Sequence, residues 1–231
     1  MKISKRTIDI LNKFYNINES IYFGWGTTIA TKDSGGVGER SGRILATAKI
    51  EEEFPEIGIY NLKMFTNLLK NFKDPDLIFN DGSPYVIIKD EKKEAKYGII
   101  FDKDTISSPA HPEIAMEDEY LSFILDKDNI STIKRVNSDI KVDENMILKI
   151  QTSENGLSII VTHEDVKDNE FEIFINKDEH SFSEFVLDMD LFKYISNNDY
   201  KVSIHPLGSL YVVKMVSEDI TYVCALKSFK D

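Results

Sequence analysis

The order of predicted elements runs through this chain twice, and that doubling constrains its fold more than any single motif. A helix, a run of short strands, a second helix and further short strands recur at an offset of about 120 residues. In the first half, the apolar spacing predicts a helix over Lys5–Tyr15, with Ser4 as its N-cap. Strands are expected at Ile21–Thr31 and Ile44–Ile50, on either side of a glycine-rich turn, Asp33–Gly42. A second helix, Leu62–Phe72, stops before Pro75, and strands return at Leu77–Phe79, Tyr85–Lys89 and Lys96–Phe101. The second half begins with a strand at Tyr120–Leu125 and a helix over Asp126–Asn137. Strands follow at Met146–Thr152, Leu157–His163, Phe171–Ile175 and Phe182–Leu187. A helix at Met189–Asn198 then precedes strands at Lys201–His205, Leu210–Val216 and Tyr222–Leu226. Between the halves, Lys103–Glu119 holds Pro109, Pro112 and several acids without a sustained period, which reads as a linker. The expected class is α+β, with two similar domains over 1–105 and 120–231 joined by a connector over 106–119.

Turning each helix at about 100° per residue separates its two faces. The first gathers Thr7, Ile10, Leu11 and Phe14 on one side and sets Lys5, Asn12 and Asn16 opposite, with Lys13 on the flank. The second buries Leu62, Phe65, Leu68, Leu69 and Phe72 and exposes Lys63, Asn67 and Lys70. The third turns Ile130, Ile133 and Val136 inward and Lys127, Ser131, Lys134, Arg135 and Ser138 outward. The fourth buries Met189, Phe192 and Ile195 and exposes Lys193 and Asn197, with Asp190 against the trend. A lysine opposite an apolar stripe is often only a solvated face. Four such faces stand out in a chain with 40 acids, 28 bases and a formal charge of −12. Gathered on one surface, they would form a phosphate-compatible lining inside an acidic body, suited to loose contact without base readout.

Composition excludes several classes. Apolar residues at 42% and charged residues at 29% describe a folded protein. No apolar run reaches the roughly 20 residues of a membrane span. The opening MKISKRTIDI lacks the hydrophobic core of a secretory signal, so a cytoplasmic location is expected. Cys224 is the only cysteine and reads as a small buried hydrophobe. The turn Gly35-Gly36-Val37-Gly38-Glu39-Arg40-Ser41-Gly42 lacks the Lys-Ser/Thr ending of a phosphate loop and reads as a hairpin. His111, His163, His180 and His205 fit no metal spacing, and His163-Glu164-Asp165 reads as a solvated turn at a strand end. Glu51-Glu52-Glu53 and the pair Asp188/Asp190 read as surface charge. No catalytic site, cofactor or metal is expected.

A resemblance sharpens this. Met1-Lys2-Ile3-Ser4-Lys5, then Thr7, Leu11, Phe14 and Ile17-Asn18, resembles the opening of the DNA polymerase sliding clamps of T-even-type phages. Ile59-Tyr60-Asn61-Leu62 with Phe65 is similar to the start of that family's second helix. Arg135-Val136-Asn137-Ser138, Tyr200-Lys201 and Tyr222-Val223-Cys224-Ala225-Leu226 are similar to its second domain. The tail after Leu226 is shorter than the family's and the Asp33–Arg43 turn longer. The resemblance implies a homotrimeric ring around double-stranded DNA, with helices lining the hole and sheets outside. It implies a processivity factor that tethers the replicative polymerase and is loaded by an ATP-driven clamp loader. The DNA-facing role falls on Lys5, Lys13, Lys63, Lys70, Lys127, Lys134, Arg135 and Lys193. Ring closure by strand addition falls on Tyr97, Ile99 and Phe101 of one subunit and Phe171, Ile173 and Ile175 of the next. A pocket for partner peptides falls on Ile114, Met116, Leu210, Val223 and Ala225. The contrasting reading of the acidic charge is a monomeric interaction protein that mimics DNA or inhibits a DNA-binding partner.

Overall fold

The computed structural model describes all residues except 34–42, 142–144, 166–168, 178–180 and 231, with only the backbone of 228–230. The glycine-rich turn and His180 therefore lie outside the described residues. The chain divides into two compact units, Met1–Ile114 and Ala115–Asp231.

The first unit comprises α1 (Lys5–Tyr15), β1 (Ile21–Phe23), β2 (Thr28–Lys32), β3 (Ile44–Lys49), β4 (Ile57–Ile59), α2 (Leu62–Leu69), β5 (Asp76–Ile78), β6 (Tyr85–Lys89) and β7 (Glu94–Gly98). The second comprises β8 (Leu121–Leu125), α3 (Lys127–Ile140), β9 (Met146–Ser153), β10 (Gly156–His163), β11 (Phe171–Asn176), β12 (Ser183–Asp188), α4 (Met189–Phe192), β13 (Tyr200–Leu207), β14 (Leu210–Val216), β15 (Thr221–Ala225) and β16 (Ser228–Lys230).

The repeat seen in element order is also a repeat of pairing. The ladders within each unit are antiparallel among the described residues. β1 pairs with β4 as β9 pairs with β12, and β2 with β3 as β10 with β11. The meander β5-β6-β7 matches β13-β14-β15. A first strand that lies beside the meander in the second unit, β8 on β13, is reduced in the first to a Lys2↔Asp76 bridge. A last strand on β12, namely β16, is reduced to a Gly58↔Ile100 bridge on β4. At Gly58 a Cβ would lie 2.1 Å from Cδ1 of Ile106, so a larger residue there would force that side chain to move.

The helices bury the stripes that their spacing predicts. In α1, Thr7, Ile10, Leu11 and Phe14 are buried; in α2, Leu62, Phe65 and Leu69; in α3, Ile130, Ile133 and Val136. Leu68 and Phe72 are only half-buried. Each fully buried apolar side chain contributes about 1.5–3 kcal/mol, so these stripes fix which way every helix faces.

Several expectations need correction. The strand expected over Ile21–Thr31 breaks into β1 and β2, because Gly26 takes a positive φ of 63° and turns the chain. The fourth helix ends at Phe192. Tyr194 and Ile195 donate to Leu191 and Phe192, three residues back, and the Ser196 hydroxyl then bonds the phenol of Tyr200. That local bonding competes with further helical turns. The strand expected over Lys96–Phe101 also divides. Tyr97 pairs with Val86 in the meander, while Ile100 bridges to β4.

Glu52 is the largest surprise in the first unit. It is buried, not surface charge. Its carboxylate accepts the Ser4 backbone N–H and the Thr7 hydroxyl at the start of α1. Ser4 Oγ in turn accepts the Thr7 N–H at 3.1 Å, which realises the predicted N-cap. A carboxylate beside orphan N–H groups at a helix N-terminus is well placed electrostatically. Burial raises the Glu52 carboxyl, but hydrogen bonds from Thr7 and from backbone N–H groups outweigh it and hold it below the usual range. A lowered folded-state value gives stability that is present above the unfolded value and lost as pH falls through the folded one. Glu52→Gln is therefore expected to cost about 1–3 kcal/mol at neutral pH. Urea midpoints of the two proteins should converge below the ordinary glutamate range.

Candidate nucleic-acid interface

Burying one face of each helix determines what the other presents. In the first unit, α1 and α2 lie side by side. Lys63 of α2 sits over the ring of Tyr15 in α1, 5.3 Å from its centroid, and Lys70 Nζ donates to Asn12 Oδ1 at 3.3 Å. These two links put Asn12, Tyr15, Lys63 and Lys70 on one polar strip. Lys5, Lys63 and Lys70 are exposed, and Lys13 is half-buried. The strip also carries apolar atoms that sequence reasoning missed. Tyr60 is 69% exposed and Met64 56%. Their signal was present: Asn61 caps α2 through the Met64 N–H, which turns Met64 away from the stripe.

In the second unit, Lys127, Ser131, Arg135 and Ser138 are exposed along α3. Lys193 follows α4, exposed, with its ammonium 5.0 Å from the Tyr194 ring centroid. Lys134 departs from its expected water-facing position. It is half-buried, and its Nζ donates to the Ile195 carbonyl just beyond α4. Burial pushes its ammonium below the usual lysine range. This side chain ties α3 to the chain after α4 and is not a free cation.

The remaining expected sites fall as follows. Tyr97 is buried, its ring 5.1 Å from Phe65 and its hydroxyl donating to Asn61 O at 2.7 Å, so it turns into its own unit and not outward. Ile99 is half-buried and Phe101 is 52% exposed. On β11, which forms the edge of its sheet, Phe171 is exposed and Ile173 and Ile175 are half-buried. Phe174 is 66% exposed, although a strict alternation through 171, 173 and 175 passed over it. A register shift at Leu157/Ser158 disturbs that alternation. Ile114 is exposed at the end of the first unit. In the second unit, Met116 is half-buried, Leu210 is 60% exposed, Val223 is buried and Ala225 is half-buried. An aromatic cluster missed by sequence reasoning, Tyr120, Phe185 and Tyr211, packs edge to face at 5.4–6.0 Å.

His163 is buried, with Nδ1 accepting the Asp165 N–H, so it is no solvated turn. Asp188 lies 3.6 Å from Lys227. Cys224 is buried, as expected of a small hydrophobe. Among the described residues, no group of three His, Cys, Asp or Glu side chains could hold a metal, and no helix is long and apolar enough to cross a membrane.

Two copies of helix, strands, helix, strands with matched ladders are the fold that this chain shares with solved sliding clamps. A PCNA from Entamoeba histolytica superposes with a TM-score of 0.66 at 13% identity, over 96% of this chain and 95% of that one. The PCNA of A. fulgidus, solved with the C-terminal region of FEN-1 bound, gives 0.65 at 15% identity over 100% and 98%. The DNA polymerase III subunit beta of Pseudomonas aeruginosa gives 0.61 at 10% identity, and this chain spans only 65% of its length. In sequence, the chain is similar to sliding clamps of phages. The chain is 26% identical over 235 residues to the sliding clamp of Escherichia phage RB69, covering 99% of this chain and 97% of that one. It is 24% identical over 221 residues to the sliding clamp of Vibrio phage KVP40, covering 90% and 92%. No family model matches.

One prediction concerns Lys134. A lowered lysine value means that the unfolded chain binds more protons between the two values, so this group's contribution to stability rises with pH. The stability of the wild type relative to Lys134→Met should therefore grow as pH is raised towards about 10.5, the ordinary lysine value. Paired urea titrations would detect it.

Proposed function

We propose that this chain is a DNA sliding clamp, a homotrimeric ring that encircles duplex DNA and tethers a replicative DNA polymerase for processive synthesis. The observation that carries the reading is end-to-end likeness to two phage sliding clamps, together with the doubled clamp fold. The protein does no chemistry in this role. A closed ring cannot fall off a duplex, so the polymerase held on it stays at the primer end. An ATP-driven loader opens and closes it, in the cytoplasm of an infected bacterium.

Lys5, Lys13, Lys63, Lys70, Lys127, Arg135 and Lys193 face the DNA in this reading. Their spacing favours loose phosphate contact and sliding, since lysines on separate helices offer charge without base-edge geometry. The alternative of a monomeric DNA mimic predicts mainly acids along exposed helix faces, whereas here exposed Lys5, Lys63, Lys70, Lys127, Arg135 and Lys193 outnumber exposed Asp9, Asp128 and Asp139. Between subunits, the exposed edge β11 with Phe171 and Phe174 accepts the short extended segment Ile99–Phe101 of a neighbour. Such addition would cover an apolar edge that is otherwise an aggregation hazard. In the second unit, Met116, Leu210 and Ala225, over the buried Val223, receive short partner peptides; the A. fulgidus PCNA was solved with the C-terminal region of FEN-1 bound.

Light scattering should give three times 26.5 kDa for the wild type at micromolar concentration. Phe171→Asp with Phe174→Asp should give one chain with its fold intact. A single-chain mass for the wild type at all concentrations would count heavily against the ring. Reversing Lys63, Lys70 and Arg135 together to Glu should lower loading or processivity at least about tenfold, through lost phosphate contact. The melting temperature should stay within about 2 °C, because these positions are exposed. Unchanged processivity would remove the DNA-facing assignment.

A further inference from the structure

The last residues of the connector are fastened to the second unit by a histidine to which neither fold nor family resemblance gives a role. His205 lies on β13, half-buried, with both ring nitrogens engaged. Nδ1 is 2.8 Å from the backbone carbonyl of Glu117, 88 residues earlier in the chain. Nε2 is 2.8 Å from the hydroxyl of Ser203, itself buried. A carbonyl oxygen can only accept, so Nδ1 must carry the proton. In the neutral ring Nε2 then accepts from the Ser203 hydroxyl. The Glu117 carbonyl thereby fixes the tautomer, and the Ser203 hydroxyl, able to donate or accept, satisfies the other nitrogen.

The neighbourhood makes this bond consequential. Glu117 follows Met116 directly. The strand that carries His205 turns straight into β14, where Pro206 faces Tyr211 and Leu207 faces Leu210. His205 thus joins Met116, on the connector, to the hairpin that presents Leu210. Two further links fasten the same stretch: the Tyr120 N–H donates to Ile204 O at 2.8 Å, and Lys201 pairs with Glu119 at 3.5 Å. The ion pair is exposed on both sides and contributes little. The Tyr120 bond starts β8. His205 is therefore the side chain that extends the fastening past the strand and up to Met116.

We propose that His205 is a positioning residue for partner capture: its Nδ1–H holds the connector at Glu117, so that Met116 is presented beside Leu210 before any partner arrives. This rests on the reading of those residues as a peptide-docking site. Holding one rim of a site in its bound arrangement removes part of the ordering cost of binding.

Three measurements on the full-length clamp test it. Long-range ¹H–¹⁵N NMR of the wild type should find His205 protonated on Nδ1; the Nε2–H tautomer would overturn the latch without any variant. Hydrogen exchange across residues 116–120 should quicken at least about tenfold in His205→Ala. It should return towards the wild-type rate in His205→Asn, whose amide places a donor where Nδ1 stood. Exchange unchanged in His205→Ala, or equally fast in both variants, would also overturn it. Finally, a synthetic peptide of the phage polymerase's C-terminal residues should bind His205→Ala roughly three- to tenfold more weakly than wild type, with His205→Asn recovering affinity. Faster exchange with unchanged affinity would refute the coupling to capture. Failure of the peptide to bind even the wild type would sink the docking role of the connector, while the tautomer and exchange would still decide the latch.

Discussion

Everything functional in this fold depends on the two-sidedness of its helices. A helix packed on a sheet can bury only one stripe, and here that stripe is chosen by large apolar residues: Ile10, Leu11 and Phe14 in α1, Phe65 and Leu69 in α2, Ile130 and Ile133 in α3. Their burial is worth far more than any exposed lysine contact could be. The lysines are therefore oriented by the core and not by their own interactions. Lys63 and Lys70 reach water because Phe65 and Leu69 do not. The start of α1 is secured separately. Glu52, brought from 45 residues away in sequence, holds Thr7 and Ser4 and so sets where the first helical turn begins.

The same contrast separates what the sequence makes legible from what it does not. Period 3.6 with strong apolar stripes identified α1, α2 and α3, and the doubled element order pointed to two units, because both are local signals repeated many times. Three of the failures involve partners distant in sequence. Glu51-Glu52-Glu53 looks like surface charge until Thr7 and Ser4 arrive beside its middle member. Tyr97 alternates correctly for an outward strand residue, yet the Asn61 carbonyl and the Phe65 ring draw it inward. Lys134 occupies a solvent-facing angle on its helical wheel, but the chain after α4 passes close enough to take its ammonium. The shortness of α4 has a local cause, Ser196 and the asparagines after it. The ring, the polymerase and the docking site were legible only through family likeness; no spacing or charge pattern in the chain specifies them.

Electrostatics then resolves an apparent conflict. A formal charge of −12 repels a duplex at long range, and that repulsion is screened over about 8 Å at physiological salt. Within that distance local charge decides. On the strip shared by α1 and α2, Lys63 is held over Tyr15 and Lys70 against Asn12, so these cations stay attached to the helix surface. Flexible ammonium groups at such a surface lower the energy of a nearby phosphate without fixing its register. An acidic exterior with weakly basic helix faces suits a protein that must hold DNA without gripping it. A densely basic interior would bind more tightly and slide less.

The proposed ring also follows from an inequality between the two domains. In the second unit, β12 is covered along three residues by β16, whereas in the first, β4 receives only the single Gly58↔Ile100 bridge. The first unit thus leaves a short extended segment, Ile99–Phe101, with its terminal ring half in solvent. The second leaves a long edge, β11, with Phe174 in solvent. Unlike surfaces that complement each other join head to tail, and a head-to-tail contact gives either a filament or a closed ring, never an isolated dimer of the two-fold kind. A short segment on one side limits the pairing to a few residues. Such a joint could be opened by a loader without unfolding either domain, because only a short segment would have to leave the edge of β11. In the proposed ring, the brevity of Ile99–Phe101 would allow both closure around DNA and release from it.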